Sequence, residues 1–333
     1  MHRLRPAGGT PALAALALSL LVPAMVACGG ASIEAGTQGT ATTPVGVSPA
    51  VSPTPSFPLT LTDDDGVDVT LPSAPQRIVT FAPANTEILY ALGIGSRLVG
   101  VSGSYDDYPP AARSLPRVGG AGNFGVDPNV EKVVALHPDL VLTTSGGEAW
   151  KARLRQLGIT VFAVDATNFD DLLHDIDTVG RITGAGAVAT ALVTSMRTRA
   201  AAIQARIAAD PTVTCFYEVF YPPLTTVGPG TFVFDLLRRA GCDPVTSGAK
   251  STYPEWSLDR LVAEDPEVYL LDSLSGATPT AVAKRHGFAA IAAVPQGHVI
   301  VIDSDLVTRP GPRIVDGLAL LARALHPGAF ASP

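Results

Sequence analysis

One pattern of residues occurs twice in this chain. The segment VEKVVALHPDLVL begins at Val130, and a similar segment, LDRLVAEDPEVYL, begins at Leu258, 128 positions later. Each copy is typical of a short helix, a proline stop and then a buried strand. The spacing is too long for a solenoid, whose repeats recur every ~20–50 residues. The pattern therefore predicts two lobes that share one plan.

Strands and helices alternate through the rest of the chain. The apolar runs at 77–83 and 212–220 predict buried strands, and the segments TEILYALGIG and TFVFDLLRRAG that follow them predict helices. We expect Asn85 to cap the first of these helices. We also expect Asp127 to cap the helix of the first repeat, with Pro128 at its first helical position. This alternation predicts an α/β fold with mainly parallel sheets.

The longest predicted helix lies between the two repeats. Neither Gly nor Pro interrupts residues 187–210, and a helix of that length extends about 36 Å. Its apolar residues form one stripe, which comprises Val188, Leu192, Met196, Ile203 and Ile207. Such a helix would be a stiff spine between two lobes, although an ordinary packed helix of one domain would show the same pattern.

The repeats and the long helix suggest how the folded part of the chain is divided. We predict an N-terminal lobe at 58–167, an inter-lobe helical segment at 168–210 and a C-terminal lobe at 211–333. The first lobe is predicted to open with a β-hairpin, because two alternating runs at 58–72 flank an Asp-Gly pair.

The first 27 residues have the pattern of a bacterial export signal, with two arginines before an apolar run. Cys28 ends this run as in a lipoprotein signal, so we predict a signal peptide at 1–27, a lipid on Cys28 and a disordered tether at 28–57. The mature protein would face the periplasm or the outer cell surface, held on the membrane by its lipid. A plain signal peptide or a membrane anchor helix are the alternatives. Export also places Cys215 and Cys242 in an oxidising compartment, where they would be two buried thiols or a disulfide.

Composition and motifs favour a binding protein. The chain has 333 residues, of which 47% are hydrophobic, and its net charge of −7 argues against a nucleic-acid partner. Its six histidines form no H-x-H or H-E-x-x-H pair, and the chain has no nucleophile-elbow or phosphate-loop motif. We therefore predict no resident metal, no cofactor and no enzymatic activity.

Two blocks carry a resemblance to a known family. RIVTFAPANTEILYALGIGSRLVGVSGSYDDYPP at 77–110 and DPNVEKVVALHPDLVL at 127–142 resemble the periplasmic binding proteins of cobalamin and iron-siderophore uptake. The resemblance implies two Rossmann-like lobes joined by one long rigid helix, with the ligand held between them. It also implies a monomer that delivers its ligand to a two-fold ABC permease with its ATPase.

Within this family, PANTE followed by S-Y-x-D-Y-P-P is most similar to the cobalamin-binding members. The resemblance implies a set of ligand-binding residues on both lobes, comprising Ala84, Tyr105, Phe124, Leu224, Tyr253, Asp305 and Arg309. Aromatic side chains would stack on a flat corrin, and Asp305 and Arg309 would bond its rim amides. The latter pair would also be explained by a local ion pair. Relatives carry tryptophan at the positions of Phe124 and Tyr253 and phenylalanine at Leu224, so a ferric siderophore or haem is the alternative ligand.

The acids Glu131 and Asp259 occupy equivalent places in the two repeats, each in a predicted first helical turn. Interaction with the helix dipole explains one acid, at about 0.3–1 kcal/mol. The resemblance implies that the matched pair docks on arginines of the two-fold permease. A different function, a metal-cluster oxidoreductase on this fold, would need several cysteines, and only Cys215 and Cys242 remain beyond Cys28.

Overall fold

A computed structural model describes residues 56–103, 105–119 and 128–331. The predicted hairpin is present as two antiparallel strands, β1 (Leu59–Thr62) and β2 (Asp68–Leu71). The first sheet follows, with β3 (Ile78–Thr80), β4 (Leu98–Val101), β5 (Leu140–Thr143) and β6 (Thr160–Ala163). Its order is β4-β3-β5-β6 and every pairing is parallel.

The second sheet has β7 (Val213–Phe220), β8 (Thr225–Thr226), β9 (Cys242–Pro244), β10 (Val268–Asp272) and β11 (Val299–Ile302). Strand β7 pairs in parallel with β9 and β10, and β10 pairs in parallel with β11. Strand β8 is antiparallel to β7. The parallel strands β9-β7-β10-β11 thus repeat the order of the first sheet, and the predicted α/β class is confirmed. We call the residues around the first sheet the N-lobe and those around the second the C-lobe.

Eleven α-helices connect and cover these strands in the described part of the chain. In the N-lobe they are α1 (Pro83–Ala91), α2 (Val130–Ala135) and α3 (Glu148–Gln156). Between the sheets in sequence are α4 (Phe169–Thr183) and α5 (Gly186–Ile207). The C-lobe has α6 (Phe232–Arg239), α7 (Leu258–Glu264), α8 (Pro279–Ala283), α9 (Ser304–Val307), α10 (Ile314–Leu325) and α11 (Pro327–Phe330).

The sequence repeat is a structural repeat. Helix α2 leads to β5 and helix α7 leads to β10, and both strands lie inside their sheets. Val133 and Leu261, at equivalent places in the two copies, are fully buried. Side-chain caps start both helices, because Asn129 accepts from the N–H of Lys132 and Ser257 from that of Arg260.

Two predicted helix starts are wrong. Helix α2 begins at Val130, so Pro128 precedes it and Asn129 replaces Asp127 as its cap; Asp127 itself lies outside the described residues. Helix α1 begins at Pro83, where the proline ring suits the first helical position. Asn85 is therefore inside the helix and buried, with its amide donating to the carbonyl of Phe81 at 3.4 Å.

The long helix α5 has 22 residues, or about 33 Å. It packs against α4 and α10, and its buried residues are Ala189, Val193, Met196, Ala200 and Ile207. The predicted stripe is wrong at Val188, which is 47% exposed. The reason is close packing: a Cβ on Gly180 of α4 would lie 2.3 Å from that of Ala189, so small residues form the contact.

One apolar cluster runs from the first sheet to the second through α4, α5 and α10. It includes Ile78 and Phe162 on one side and Tyr217 and Leu236 on the other. A disulfide joins Cys215 of β7 to Cys242 of β9. In the described ranges, no helix has both the length and the apolar character needed to cross a membrane.

Candidate ligand-binding cleft

Two adjoining cavities lie between the lobes, and we call them together the cleft. Their volumes are about 480 and 390 Å³. Ala82 and Pro83 after β3, Thr144 after β5, and Thr308 and Arg309 of the C-lobe line both cavities. The carboxyl ends of parallel strands are where open α/β sheets bind ligands.

The first cavity has an aromatic wall, formed by Phe81, Tyr105 and Trp150 of the N-lobe. The rings of Phe81 and Trp150 are 5.4 Å apart, centroid to centroid, with their planes tilted by 48°. From the C-lobe, Leu274 adds an apolar side chain that is 61% exposed. Gly147 makes room for the indole, because a Cβ there would lie 2.1 Å from Nε1 of Trp150. Such a wall suits a flat apolar ligand face.

The second cavity is lined in part by hydroxyl-bearing residues of both lobes. They are Thr144, Thr167, Thr231, Thr252, Tyr253 and Thr308. Asp165 supplies a carboxylate. Burial raises the pKa of Asp165, while hydrogen bonds from Ser145 oppose that rise. This cavity can therefore offer both donors and acceptors to a polar ligand rim.

The turn between β1 and β2 holds the loop after β5 in place. Asp65 binds the ammonium of Lys151 and accepts from the N–H of Gly146 at 3.1 Å. Lys151 is fully buried and also donates to the carbonyl of Thr144 at 2.8 Å. This loop lines the first cavity, so the Asp65–Lys151 pair holds one part of the wall of that cavity.

The same turn holds the loop after β6. Asp64 accepts from the N–H of Asp165 at 2.6 Å, and Asp63 accepts from that of Ala163 at 3.2 Å. Asp175 of α4 is buried nearby. Burial, together with the carboxylates of Asp64, Asp171 and Asp165, raises its pKa to about 8. The N-lobe side of the second cavity is therefore an acidic environment.

Arg309 stands where the two cavities meet. Its guanidinium binds Asp305 at 2.6 Å and Asp107 at 3.2 Å, and it lies 3.9 Å from Glu87. Of the described residues that line either cavity, Arg309 is the only cation. The positive charge of Arg309 is thus offset by Asp305 and Asp107, while Glu87 also binds Arg313.

The structure brings several of the predicted ligand-binding residues together. Tyr105 lines the first cavity, Ala84 and Tyr253 line the second, and Arg309 lines both. Asp305 contacts the cleft only through Arg309.

Of the two other predicted ligand-binding residues, one lines neither cavity and the other is not among the described residues. Leu224 is packed in the apolar core of the C-lobe and lines neither cavity. Phe124 lies outside the described residues.

Among the residues of the cleft that sequence reasoning missed are Phe81, Trp150 and Asp165. Phe81 comes directly after β3, and Asp165 comes shortly after β6. Position at a strand's carboxyl end could have identified both. Trp150 follows a Gly-Gly pair, and the left-handed φ of +74° at Gly147 is the local feature that places it.

The two predicted docking acids are on the surface. Glu131 in the first turn of α2 has a side chain that is 79% exposed, and it lies 3.8 Å from the exposed Arg153. Asp259, in the first turn of α7, is also exposed. Cys28 lies outside the described residues. Within the described ranges, no cluster of three or more His, Cys, Asp or Glu side chains could hold a metal ion.

Comparison with known proteins agrees with this geometry. Residues 78–306 match the family described as periplasmic binding protein. An uncharacterized ABC transporter substrate-binding lipoprotein of Bacillus subtilis, YvrC, is 34% identical over 292 residues, covering 85% of this chain and 90% of that protein. A cobalamin-binding protein of Halobacterium salinarum is 34% identical over 283 residues, covering 81% and 75%. The crystal structure of the periplasmic vitamin B12 binding protein BtuF of Vibrio cholerae aligns with a TM-score of 0.66 and 26% identity, covering 78% of this chain and 99% of that one. The chain therefore belongs to the periplasmic binding protein family, as a substrate-binding protein of an ABC importer.

Proposed function

We propose that this protein captures cobalamin or a related corrinoid in the cleft and delivers it to a two-fold ABC permease. It works as a monomer, held on the membrane by a lipid on Cys28, and makes or breaks no bond in its ligand. A corrin has a broad apolar face and a rim of amides. The aromatic wall of the first cavity suits the face, and the hydroxyl groups of the second cavity suit the rim.

The charge of the cleft is the observation that carries this proposal. Arg309 is already bound by Asp305 and Asp107, and Asp165 adds a further acid. The segment 120–127, which contains Phe124, has no Lys or Arg in its sequence. Haem propionates or a catecholate chelate would therefore bring negative charge to a site without an uncompensated cation among its described lining residues. The rim amides of a corrin are uncharged, so the rim of the ring brings no such charge to the walls.

A ferric siderophore or haem is the alternative ligand. The observation that favours it is the pair of phenols on the cleft, Tyr105 in the first cavity and Tyr253 in the second. A phenolate is an iron ligand in some haem proteins. A neutral hydroxamate chelate would also avoid the charge conflict.

Tryptophan fluorescence tests the proposed ligand. The chain has two tryptophans: Trp150 lines the first cavity, and Trp256 is buried in the C-lobe core, where it donates to Glu264 at 3.0 Å. Cyanocobalamin should quench the parent protein and Trp256→Phe to a similar extent, whereas Trp150→Phe should lose most of the quenching. The corrin absorption bands should remain after desalting. Retention of haemin or of ferrioxamine in place of cyanocobalamin would establish the alternative.

Docking on the permease is tested by charge reversal. Glu131→Lys with Asp259→Lys should abolish uptake in cells and leave the cyanocobalamin affinity unchanged, because both acids are exposed and neither lines the cleft. The control reverses two other exposed acids, one on each lobe, Asp68→Lys with Asp243→Lys. Normal uptake by the first double variant would remove the docking role.

The lipid anchor is tested separately. Cys28→Ala should shift the protein from the membrane fraction to the soluble fraction, because it removes the attachment site of the lipid. A variant that stays with the membrane would show that another segment anchors the chain.

A further inference from the structure

A buried ion pair crosses from one lobe to the other beside the cleft. Glu87 of α1 is only 3% exposed. Arg313, directly before α10, donates to both of its carboxylate oxygens, at 2.8 and 2.6 Å. Two parallel bonds between a guanidinium and a carboxylate fix orientation as well as distance.

Further contacts between the lobes surround this pair. The ring of Tyr108 covers the guanidinium of Arg313, with 3.8 Å between the charged carbon and the ring centroid. Asp107, the neighbouring N-lobe residue, binds Arg309 of the C-lobe at 3.2 Å. Two arginines of the C-lobe thus point at acids of the N-lobe.

The pair is linked to the cleft through Arg309. The carboxylate that binds Arg313 lies 3.9 Å from Arg309, which lines both cavities. By contrast, Asp305 binds the same guanidinium from within the C-lobe, four residues away. Contacts within a lobe can orient Arg309, but only contacts across the lobes can fix the width of the cleft.

We propose that Glu87 and Arg313 form a clamp that sets the separation of the lobes without ligand and so positions Arg309 at the junction of the two cavities. The clamp holds the two lobes at one fixed separation. When the lobes separate, water solvates both charges and offsets much of their lost attraction, so the clamp can open during hand-off. Glu87 is thus a positioning residue, and its part in ligand binding rests on the proposed function.

The width of the cleft in ligand-free protein tests the clamp directly. Spin labels on cysteines at the exposed positions Lys132 and Lys250, with Cys28→Ser in the chain, report the distance between the lobes. The parent should show one narrow distance distribution. Glu87→Gln removes the charge and should broaden the distribution towards longer distances. Asp305→Asn, which breaks the contact within one lobe, should leave it narrow.

Glu87→Gln leaves the half-buried Arg313 without its ionic partner, and its folding is checked by circular dichroism. If it does not fold, Arg313→Lys decides, because it keeps both charges and loses the bidentate geometry. A broadened distribution in the variant that folds supports the clamp, and a distribution as narrow as that of the parent overturns it.

The ligand measurement is separate from the distance measurement. With cyanocobalamin, Glu87→Gln should raise the dissociation constant about tenfold, mainly through faster release, because Arg309 loses its fixed position. Failure of the parent to bind cyanocobalamin would contradict the proposed function and leave the distance test intact. Normal release from a variant with a broadened cleft would contradict the positioning of Arg309.

Discussion

The two lobes have the same parallel strand order and different edges. In the N-lobe, the segments after β3, β4, β5 and β6 carry the aromatic wall and Asp165. In the C-lobe, the antiparallel strand β8 pairs with the carboxyl end of β7, and Leu224 beside it is buried in the core. The C-lobe residues that line the cleft include Leu274, Tyr253 and Arg309, and they lie in other segments of the lobe. The same strand order thus supports most of the lining of the first cavity in the N-lobe, while the C-lobe completes the cleft from the opposite side.

Each lobe also buries one cation against one carboxylate. In the N-lobe, Lys151 is fully buried against Asp65. In the C-lobe, Glu218 is fully buried and accepts from two nitrogens of Arg285, one of them at 2.9 Å. The N-lobe pair holds a loop of the cleft. The C-lobe pair lies under the ring of Tyr221, and Tyr221 is not among the described residues that line the cleft. Loss of either pair should therefore lower the free energy of unfolding by a similar amount, but only loss of the N-lobe pair should affect ligand binding.

The largest expected effect comes from breaking these two pairs. Asp65→Ala and Glu218→Ala should each lower the free energy of unfolding by about 3–5 kcal/mol, because each leaves a buried cation unpaired. Only Asp65→Ala should also weaken cyanocobalamin binding in the fraction that remains folded, since it frees the loop at Thr144 and Gly146. Denaturant unfolding and titration at low temperature measure both quantities. Equal affinities in the two variants would show that the hairpin turn does not shape the cavity.

The disulfide gives the next largest effect, and it belongs to one lobe. Cys215 and Cys242 are separated by 27 positions, and the range 58–167, which we predict to form the N-lobe, contains no cysteine. Loss of the bridge in Cys215→Ala with Cys242→Ala should lower the free energy of unfolding by about 3.5 kcal/mol through loop entropy. Because one apolar cluster joins both sheets, we expect a single transition at lower denaturant concentration. Two separate transitions would show that the lobes unfold independently.

The repeats show what sequence can predict and where it stops. Val133 and Leu261 share a register in two helix–strand units, and periodicity alone predicted both units. The cap at Asn129 in place of Asp127 was missed, because neighbouring residues of similar capping ability differ only in backbone conformation. Val188 was misplaced because the contact between α4 and α5 uses Gly180 and Ala189.

The cleft was predicted only in part for a related reason. Tyr105, Tyr253 and Arg309 followed from resemblance, and all three line the cleft. Phe81 and Trp150 come from separate loops that only the strand order brings to one wall. No local pattern contains such a contact, so it becomes visible only in three dimensions.

The next effect concerns the response of the buried carboxyl of Asp175 to pH, and it is spread over several pH units. Glu218 has a buried cation as its partner, whereas burial and neighbouring acids raise the pKa of Asp175 to about 8. The unfolded state ionises Asp175 near its ordinary pKa of 3.8, so between about pH 4 and 8 the folded state holds the extra proton. The free energy of unfolding should then fall by up to about 1.4 kcal/mol per pH unit across this window.

Asp175→Asn should remove this slope, because the amide does not titrate and still offers an oxygen to the N–H of Ala166. The variant should gain stability relative to the parent as the pH rises towards 8. Glu218→Gln should instead be destabilised relative to the parent at pH 6 and at pH 8, since it leaves Arg285 without its partner. Parallel pH profiles for the parent and Asp175→Asn would contradict the raised pKa.

The smallest effect concerns glycines in the equivalent loops after β5 and β10. Gly146, Gly147 and Gly276 all have left-handed backbone, with φ of +83°, +74° and +66°. Substitution by alanine should cost each about 1 kcal/mol of stability.

A Cβ on Gly146 or Gly276 meets nothing within 4 Å, whereas one on Gly147 meets Trp150. Gly147→Ala alone should therefore displace the indole and raise the cyanocobalamin dissociation constant about tenfold, or about 1.4 kcal/mol. If Gly146→Ala weakens binding equally, backbone strain controls this wall of the cleft, and the contact with Trp150 does not.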